Sequence, residues 1–216
     1  KRLVVSGGIV KEYGEADFLF LNDGKAVFRK SSWTEGGFLT PLGEPLSDAP
    51  LDWGLSAAFH DINHDGLPDL YVCNDFWTPD RFWINQGDAF KLLNPENFGK
   101  TSASSMGVDF SDYDRDGDVD LFVVDMLSRD LAMRKRQAPA QDLSDRLVNQ
   151  GKYADQVMRN TLLNNRGDGS FAELANLSGL SASDWSWSPV FLDVDLDGYE
   201  DLIITAGHYK DTQDLD

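Results

Sequence analysis

The stretch Asp112-Tyr113-Asp114-Arg115-Asp116-Gly117-Asp118-Val119-Asp120-Leu121 decides how this chain folds. Five carboxylates alternate with other residues, a glycine stands at the sixth place, and Leu121-Phe122-Val123-Val124 follows without a polar break. Carboxylates crowded this closely repel one another unless a cation lies between them. The same pattern returns at Asp61-Ile62-Asn63-His64-Asp65-Gly66-Leu67-Pro68-Asp69-Leu70 and at Asp193-Val194-Asp195-Leu196-Asp197-Gly198-Tyr199-Glu200-Asp201-Leu202. Phe59, Phe110 and Phe191 each stand two residues before the first Asp. Self-similarity of this length marks a repeat architecture.

A second element recurs around the loops. Asn22-Asp23-Gly24, Asn85-Gln86-Gly87 and Asn165-Arg166-Gly167 read as turns between strands. Short apolar stretches lead into them at Phe18–Leu21, Phe82–Ile84 and Thr161–Leu163. The unit is therefore aromatic strand, acidic loop, apolar strand, strand, Asn-Gly turn, strand. Four short strands per unit predict an all-β chain of β-propeller blades, each a four-stranded antiparallel sheet. The runs after the loops are apolar throughout, which predicts strands covered on both faces.

The units are unevenly spaced. Asp61 and Asp112 are 51 residues apart, whereas Asp112 and Asp193 are 81 apart. The excess falls at Leu127–Arg159, rich in Arg, Lys, Gln, Ala and Leu. One or two short helices, broken near Pro139, are expected there as an insertion between blades, with Arg129, Arg134, Lys135, Arg136, Arg146, Lys152 and Arg159 as a solvated face or a docking surface. The first unit has candidate outer strands (Leu3–Val5, Phe18–Leu21, Val27–Phe28) but no acidic loop; the last has its loop but no Asn-Gly turn. Residues 1–216 are expected to form one propeller segment, part of a larger ring.

The loops carry the chemistry. Calcium is a hard cation that takes 6–8 oxygen ligands. Places 1, 3, 5 and 9 of each loop offer side-chain oxygens, and place 7 a carbonyl. The expected sites are Asp61, Asn63, Asp65, Leu67 and Asp69; Asp112, Asp114, Asp116, Asp118 and Asp120; and Asp193, Asp195, Asp197, Tyr199 and Asp201. An EF-hand needs a glutamate at place 12 and flanking helices. Place 12 here is Val72, Val123 and Ile204. Magnesium fits less well, because it demands a smaller octahedral shell and keeps its waters.

The loop followed by an Asn-x-Gly turn resembles the FG-GAP/VCBS repeat of integrin-α-like propellers. The stretches Arg159-Asn160-Thr161-Leu162-Leu163-Asn164-Asn165 and Asp184-Trp185-Ser186-Trp187-Ser188 resemble the bacterial branch related to cartilage acidic protein, which often ends in an ASPIC/UnbV segment. The resemblance implies a calcium-binding propeller, secreted, periplasmic or anchored at the cell surface, and used in adhesion, binding or assembly. It implies no catalytic activity. The alternative is a propeller enzyme acting on polysaccharide.

Composition narrows the partners. With 37 acidic and 19 basic residues the formal charge is −18, which disfavours nucleic acid and anionic lipid. A protein or carbohydrate ligand, or the rest of the propeller, is expected instead. No apolar run reaches the roughly 18 residues of a membrane helix. At 41% hydrophobic and 12% aromatic the chain can build a core. Cys73 is the one cysteine and lies in a buried-type run, so a structural role is expected. Arg166-Gly167-Asp168 spells an adhesion tripeptide, but its place in the Asn-Gly turn predicts a structural use. Trp53, Trp185 and Trp187 are expected in the inner-strand core or lining a channel, with carbohydrate stacking as the sharper alternative.

Overall fold

Each acidic loop connects two antiparallel strands, and the flanking residues of the motif set their register. Phe59 lies opposite Leu70, Phe110 opposite Leu121, and Phe191 opposite Leu202. The computed structural model describes residues 3–6, 9–35, 37–76, 78–136 and 155–208. Its strands in chain order are β1 (Leu3–Ser6), β2 (Ile9–Glu12), β3 (Phe20–Asn22), β4 (Phe28–Lys30), β5 (Phe38–Leu39), β6 (Gly54–His60), β7 (Asp69–Asn74), β8 (Arg81–Asn85) and β9 (Phe90–Leu92). After a one-turn helix α1 (Pro95–Phe98) come β10 (Lys100–Ser102), β11 (Gly107–Ser111) and β12 (Asp120–Val124). Helix α2 (Leu131–Arg136), β13 (Asp155–Val157), β14 (Thr161–Asn165), β15 (Phe171–Glu173), β16 (Ser186–Leu192) and β17 (Asp201–Ala206) follow. No described helix is long and apolar enough to cross a membrane.

Two units are complete antiparallel meanders. One runs β6-β7-β8-β9, with β5 added in parallel at its outer edge; the other runs β11-β12-β14-β15. Two units are halves. Among the described residues β3–β4 is an outer pair without inner strands, and β16–β17 an inner pair without outer strands. Leu3–Val5 does not join the first unit as expected: β1 pairs with β2 as a separate hairpin.

The sheets pack face to face because successive residues of a strand point to opposite faces. Tyr71, Cys73 and Phe82 of the first complete sheet meet Leu121, Val123 and Leu163 of the second. On the other faces, Leu70, Val72 and Trp83 pack with Leu19, Trp33 and Phe38, while Phe122, Val124 and Leu162 pack with Phe191, Leu202 and Ile204. The order of the layers is thus β3–β4, first complete sheet, second complete sheet, β16–β17. The continuous apolar runs match strands covered on both faces for β7 and β12, buried at every residue. They do not for β17, whose residues alternate between exposed and half-buried because only one face has a neighbour. Cys73 is fully buried, and burial drives its thiol well above the ordinary range.

The insertion contains one short helix, α2, capped by Asp130, whose Oδ1 accepts from the Ala132 and Met133 N–H groups at 2.8 and 2.9 Å. Pro139, Arg146 and Lys152 lie outside the described residues. The insertion also holds β13, which pairs in parallel with β10 and was not expected. Two of its cations are bound within the fold: Arg129 to Asp184 at 2.8 Å, and Arg159 to Glu173.

Candidate metal centre

The acidic loops share one backbone path. Place 4 adopts a left-handed conformation in each: His64 at φ 57°, Arg115 at 62° and Leu196 at 63°. Glycine at place 6 follows at φ 85°, 97° and 90°, a region costly for residues with a Cβ. The turn wraps backbone donors around the carboxylates. Asp61, Asp112 and Asp193 each accept from the N–H of the glycine five residues on, at 2.9, 3.1 and 2.9 Å. Asp65, Asp116 and Asp197 each accept from the N–H two residues on, at 2.9, 2.9 and 2.8 Å. In Asp61 and Asp193 the second oxygen also accepts a backbone N–H, from Asp65 and Asp197, both at 3.1 Å.

In the second and third loops the carboxylates converge. The oxygens of Asp112, Asp114 and Asp116 lie within 4.8 Å of one another, as do those of Asp193, Asp195 and Asp197. Two oxygens bound to one calcium at about 2.4 Å stand at most about 4.8 Å apart, so either trio fits a single ion. The first loop offers Asp61 and Asp65 with the amide of Asn63, whose Oδ1 accepts from the Asp65 N–H at 3.1 Å.

The closing aspartate is held by a different device. Asp120 lies at the end of the loop with 0% exposure, and its Oδ1 accepts from the Asn165 N–H at 2.8 Å and from Asn164 Nδ2 at 3.1 Å. Its Oδ2 is buried and has no hydrogen-bond donor among the described residues, and the same holds for Asp112 Oδ1. Burial pushes Asp120 up to about 7, against the Asn165 hydrogen bond and reinforced by Asp114, Asp116 and Asp112. Buried anionic oxygens without donors are costly, and a cation would satisfy both. Asp69 repeats the arrangement with bonds from the Asn85 N–H at 2.7 Å and the Ile62 N–H at 3.1 Å; burial raises its carboxyl as well. Asp201 accepts from the Val194 N–H at 3.1 Å but is exposed.

The three loops stand in a row along one rim. His64 Nε2 donates to the Gly117 carbonyl at 2.9 Å, joining loop one to loop two. Arg115 lies over the Tyr199 ring at 4.9 Å, joining loop two to loop three. Asp118 faces the Asn165 turn, where a Cβ on Gly167 would come within 2.5 Å of its carboxylate. No side-chain contact assigns Leu67, Asp118 or Tyr199 as ligands; their expected contribution is a backbone carbonyl.

Several residues sequence reasoning did not single out prove to shape the site and its supports. Asn85 and Asn165 were read as turn residues only, yet their N–H groups pin the closing aspartates. At the opposite ends of the strands, Asp80 is buried and accepts from Tyr71 Oη, Ser105 Oγ and the Asn74 N–H. Burial pushes it up to about 7 and Asp125 up to about 6. For Asp80 the signal is the recurrence of a polar residue five places before a turn asparagine, Asp80 before Asn85 and Asn160 before Asn165; Asp125 had no such signal. Trp33 and Trp83 are in the core, whereas none of Trp53, Trp185 and Trp187, expected in the core or lining a channel, is fully buried. Trp53 is half-buried and Trp187 is 45% exposed, while Trp185 stacks on His208 at 4.0 Å. Within Arg166-Gly167-Asp168, Gly167 N–H donates to Asn165 Oδ1 and Asp168 caps the Ser170 N–H, a structural use of the tripeptide.

Among curated proteins none matches the chain. The FG-GAP-like repeat pattern matches residues 61–123 and 147–204, which takes in all three acidic loops and the strands β7–β9, β11, β14 and β15 with most of β12. Covering more than half of the sequence, that match places this chain in the FG-GAP-like repeat family.

Proposed function

We propose that this chain is a non-catalytic, calcium-binding segment of a β-propeller, serving binding, adhesion or assembly outside the cytosol. The single observation that carries the calcium reading is the second loop, where a carboxylate trio fits one ion and two buried oxygens lack donors. Asp112, Asp114, Asp116 and Asp120 would hold the ion there, with the Asp118 carbonyl. The equivalent sets are Asp61, Asn63, Asp65, Asp69 and the Leu67 carbonyl, and Asp193, Asp195, Asp197, Asp201 and the Tyr199 carbonyl. The propeller reading rests on face-to-face meanders of four strands and on the repeat family. FG-GAP repeats are typical of surface and extracellular proteins, where millimolar calcium saturates sites with Kd of roughly 10⁻⁴–10⁻³ M. The expected partner is a protein or carbohydrate surface.

Calcium would act as folding energy, since the ligands converge only in the folded chain. A site whose Kd lies about tenfold below free calcium gains about 1.4 kcal/mol, so three give roughly 4 kcal/mol. At about 2–4 °C per kcal/mol for a chain of this size, chelation should lower Tm by on the order of 10 °C. Thermal unfolding with calcium, with magnesium and with chelator tests this. Identical melting temperatures in all three would overturn structural calcium.

A further inference from the structure

One carboxylate of the acidic loops has no partner. Asp118 stands at place 7 of the second loop, half-buried, and among the described residues its side chain accepts no hydrogen bond and joins no ion pair. The turn beside it does not require a charge. The same place in the first loop holds Leu67, whose Cδ1 lies 3.7 Å from where a Cβ on Gly87 would stand, just as the Asp118 carboxylate faces Gly167. A leucine therefore packs on the turn glycine as well as an aspartate does, and folding leaves the charge of Asp118 unexplained.

Asp118 borders a cleft of about 250 Å³ between the two complete sheets. Ile62 of the first loop, Ile84 of β8, Leu93 just after β9 and Phe171 of β15 form its apolar lining. The cleft is braced on both sides. Asn165 Nδ2 donates to the Ile62 carbonyl at 3.2 Å, and Asn97 Nδ2, from α1, donates to the Gly169 carbonyl at 2.8 Å. The Leu93 N–H donates to the Phe82 carbonyl at 2.7 Å. These walls belong to the complete sheets and their connections, so the shape of the cleft does not depend on what lies beside either half-sheet.

We propose that this cleft receives an arginine side chain of a partner protein, with its stem against Ile62, Ile84, Leu93 and Phe171 and its guanidinium on the Asp118 carboxylate. The proposal rests on the binding role given above and names the group that a partner presents.

Size and charge select the occupant. The volume lies just under the roughly 300–1,000 Å³ of clefts that enclose whole small molecules, and suits one long side chain. An apolar knob would strip water from Asp118 and return no hydrogen bond, which is costly. Arginine meets both needs, because its stem buries against apolar walls and its planar fork can bond both carboxylate oxygens. Lysine is a more strongly hydrated point charge without that fork. Arg166, exposed beside Gly167, makes no ion pair with Asp118 among the described residues. At a formal charge of −18 a second copy of the chain is repelled, whereas a basic segment is drawn to this rim.

Nuclear magnetic resonance of the isotope-labelled chain in millimolar calcium, titrated with an acetylated and amidated Gly-Gly-Arg-Gly-Gly peptide, tests this. Backbone amide signals should shift at Asp118, Gly167, Gly169 and Phe171, and Asp118→Asn should weaken binding about tenfold. Asp88→Asn, in the exposed Asn85 turn, should leave binding unchanged; the chain keeps 36 other acidic residues in either variant, so a diffuse attraction would not separate the two. Because Asp118→Asn could disturb its loop, a second measurement keeps the chain unaltered and changes the peptide. Citrulline in place of arginine, the same shape without the charge, should bind about tenfold more weakly. Shifts spread over all three acidic loops, equal loss in the two variants, or equal binding of the arginine and citrulline peptides would overturn the proposal. Absence of any shift with the peptide would do so too, and if calcium alone still shifts the three loops, the calcium reading stands.

Discussion

Loops two and three have nearly the same sequence and the same backbone path, yet their closing aspartates live in different surroundings. Asp120 is fully buried, clasped by Asn165 and driven up to about 7; Asp201 is exposed. The difference lies in what stands beside them. β12 has β14 on its free edge and a sheet on each face, whereas β17 has, among the described residues, neither an outer strand nor a second covering sheet. The motif therefore makes the loop, but the outer strands complete the site. The buried Oδ2 of Asp120, which has no donor among the described residues, is a liability in the absence of metal, and the solvated carboxylate of Asp201 is not.

The largest expected effect concerns pH in chelator. Asp80 is raised from 3.8 to about 7 in the folded chain, so the folded state holds a proton that the unfolded state has released. Stability from this group is full below about pH 3.8 and falls as pH rises toward 7, at up to about 1.4 kcal/mol per pH unit. Asp80→Asn should flatten that slope in urea unfolding at a series of pH values. An unchanged slope would show that Asp80 titrates normally.

Next comes the clasp. Asn165 is buried and donates to the Ile62 and Val119 carbonyls at 3.2 and 3.1 Å. Its removal in Asn165→Ala should cost about 1–3 kcal/mol by leaving those carbonyls unmet. Asn22, its exposed counterpart in the half-sheet, accepts from the Gly24 N–H at 3.0 Å. Asn22→Ala should stay within about 0.5 kcal/mol. Equal costs would erase the contrast between complete and half units.

A smaller effect should change sign. In chelator, Asp120→Asn relieves repulsion from Asp112, Asp114 and Asp116 and should raise Tm. In calcium it removes a ligand and should lower Tm, through a loss of roughly 1 kcal/mol of stability at ordinary site strengths. Asp201→Asn should have little effect in chelator because its carboxylate is already solvated. Differential scanning calorimetry of the two variants under both conditions reads all four values.

Much of this was legible in the residues. The acidic motif fixed where hairpins turn, and the phenylalanine two places before it marked the register. The Asn-x-Gly turns marked the outer strands, so two meanders could be drawn before any coordinates. What could not be read depended on neighbours. The run Leu202-Ile203-Ile204 is as apolar as Leu121-Phe122-Val123, and only the absence of a covering sheet leaves it half exposed. β13 joins β10 across more than fifty residues through three short polar-rich positions, which no local periodicity encodes. The convergence of Asp112, Asp114 and Asp116 was legible from spacing; the burial of Asp120 and its bond to Asn165 required the fold. The net charge of −18 likewise acquires a location, since eleven of the 37 acidic side chains stand in the three loops as candidate ligands.

The central claim is that these loops bind calcium, and direct binding tests it. Isothermal titration of the metal-free chain with calcium should saturate at about three ions per chain. Asp112→Ala with Asp114→Ala should remove one, and magnesium should compete weakly. No uptake at millimolar calcium, or uptake unchanged by emptying the second loop, would contradict the account.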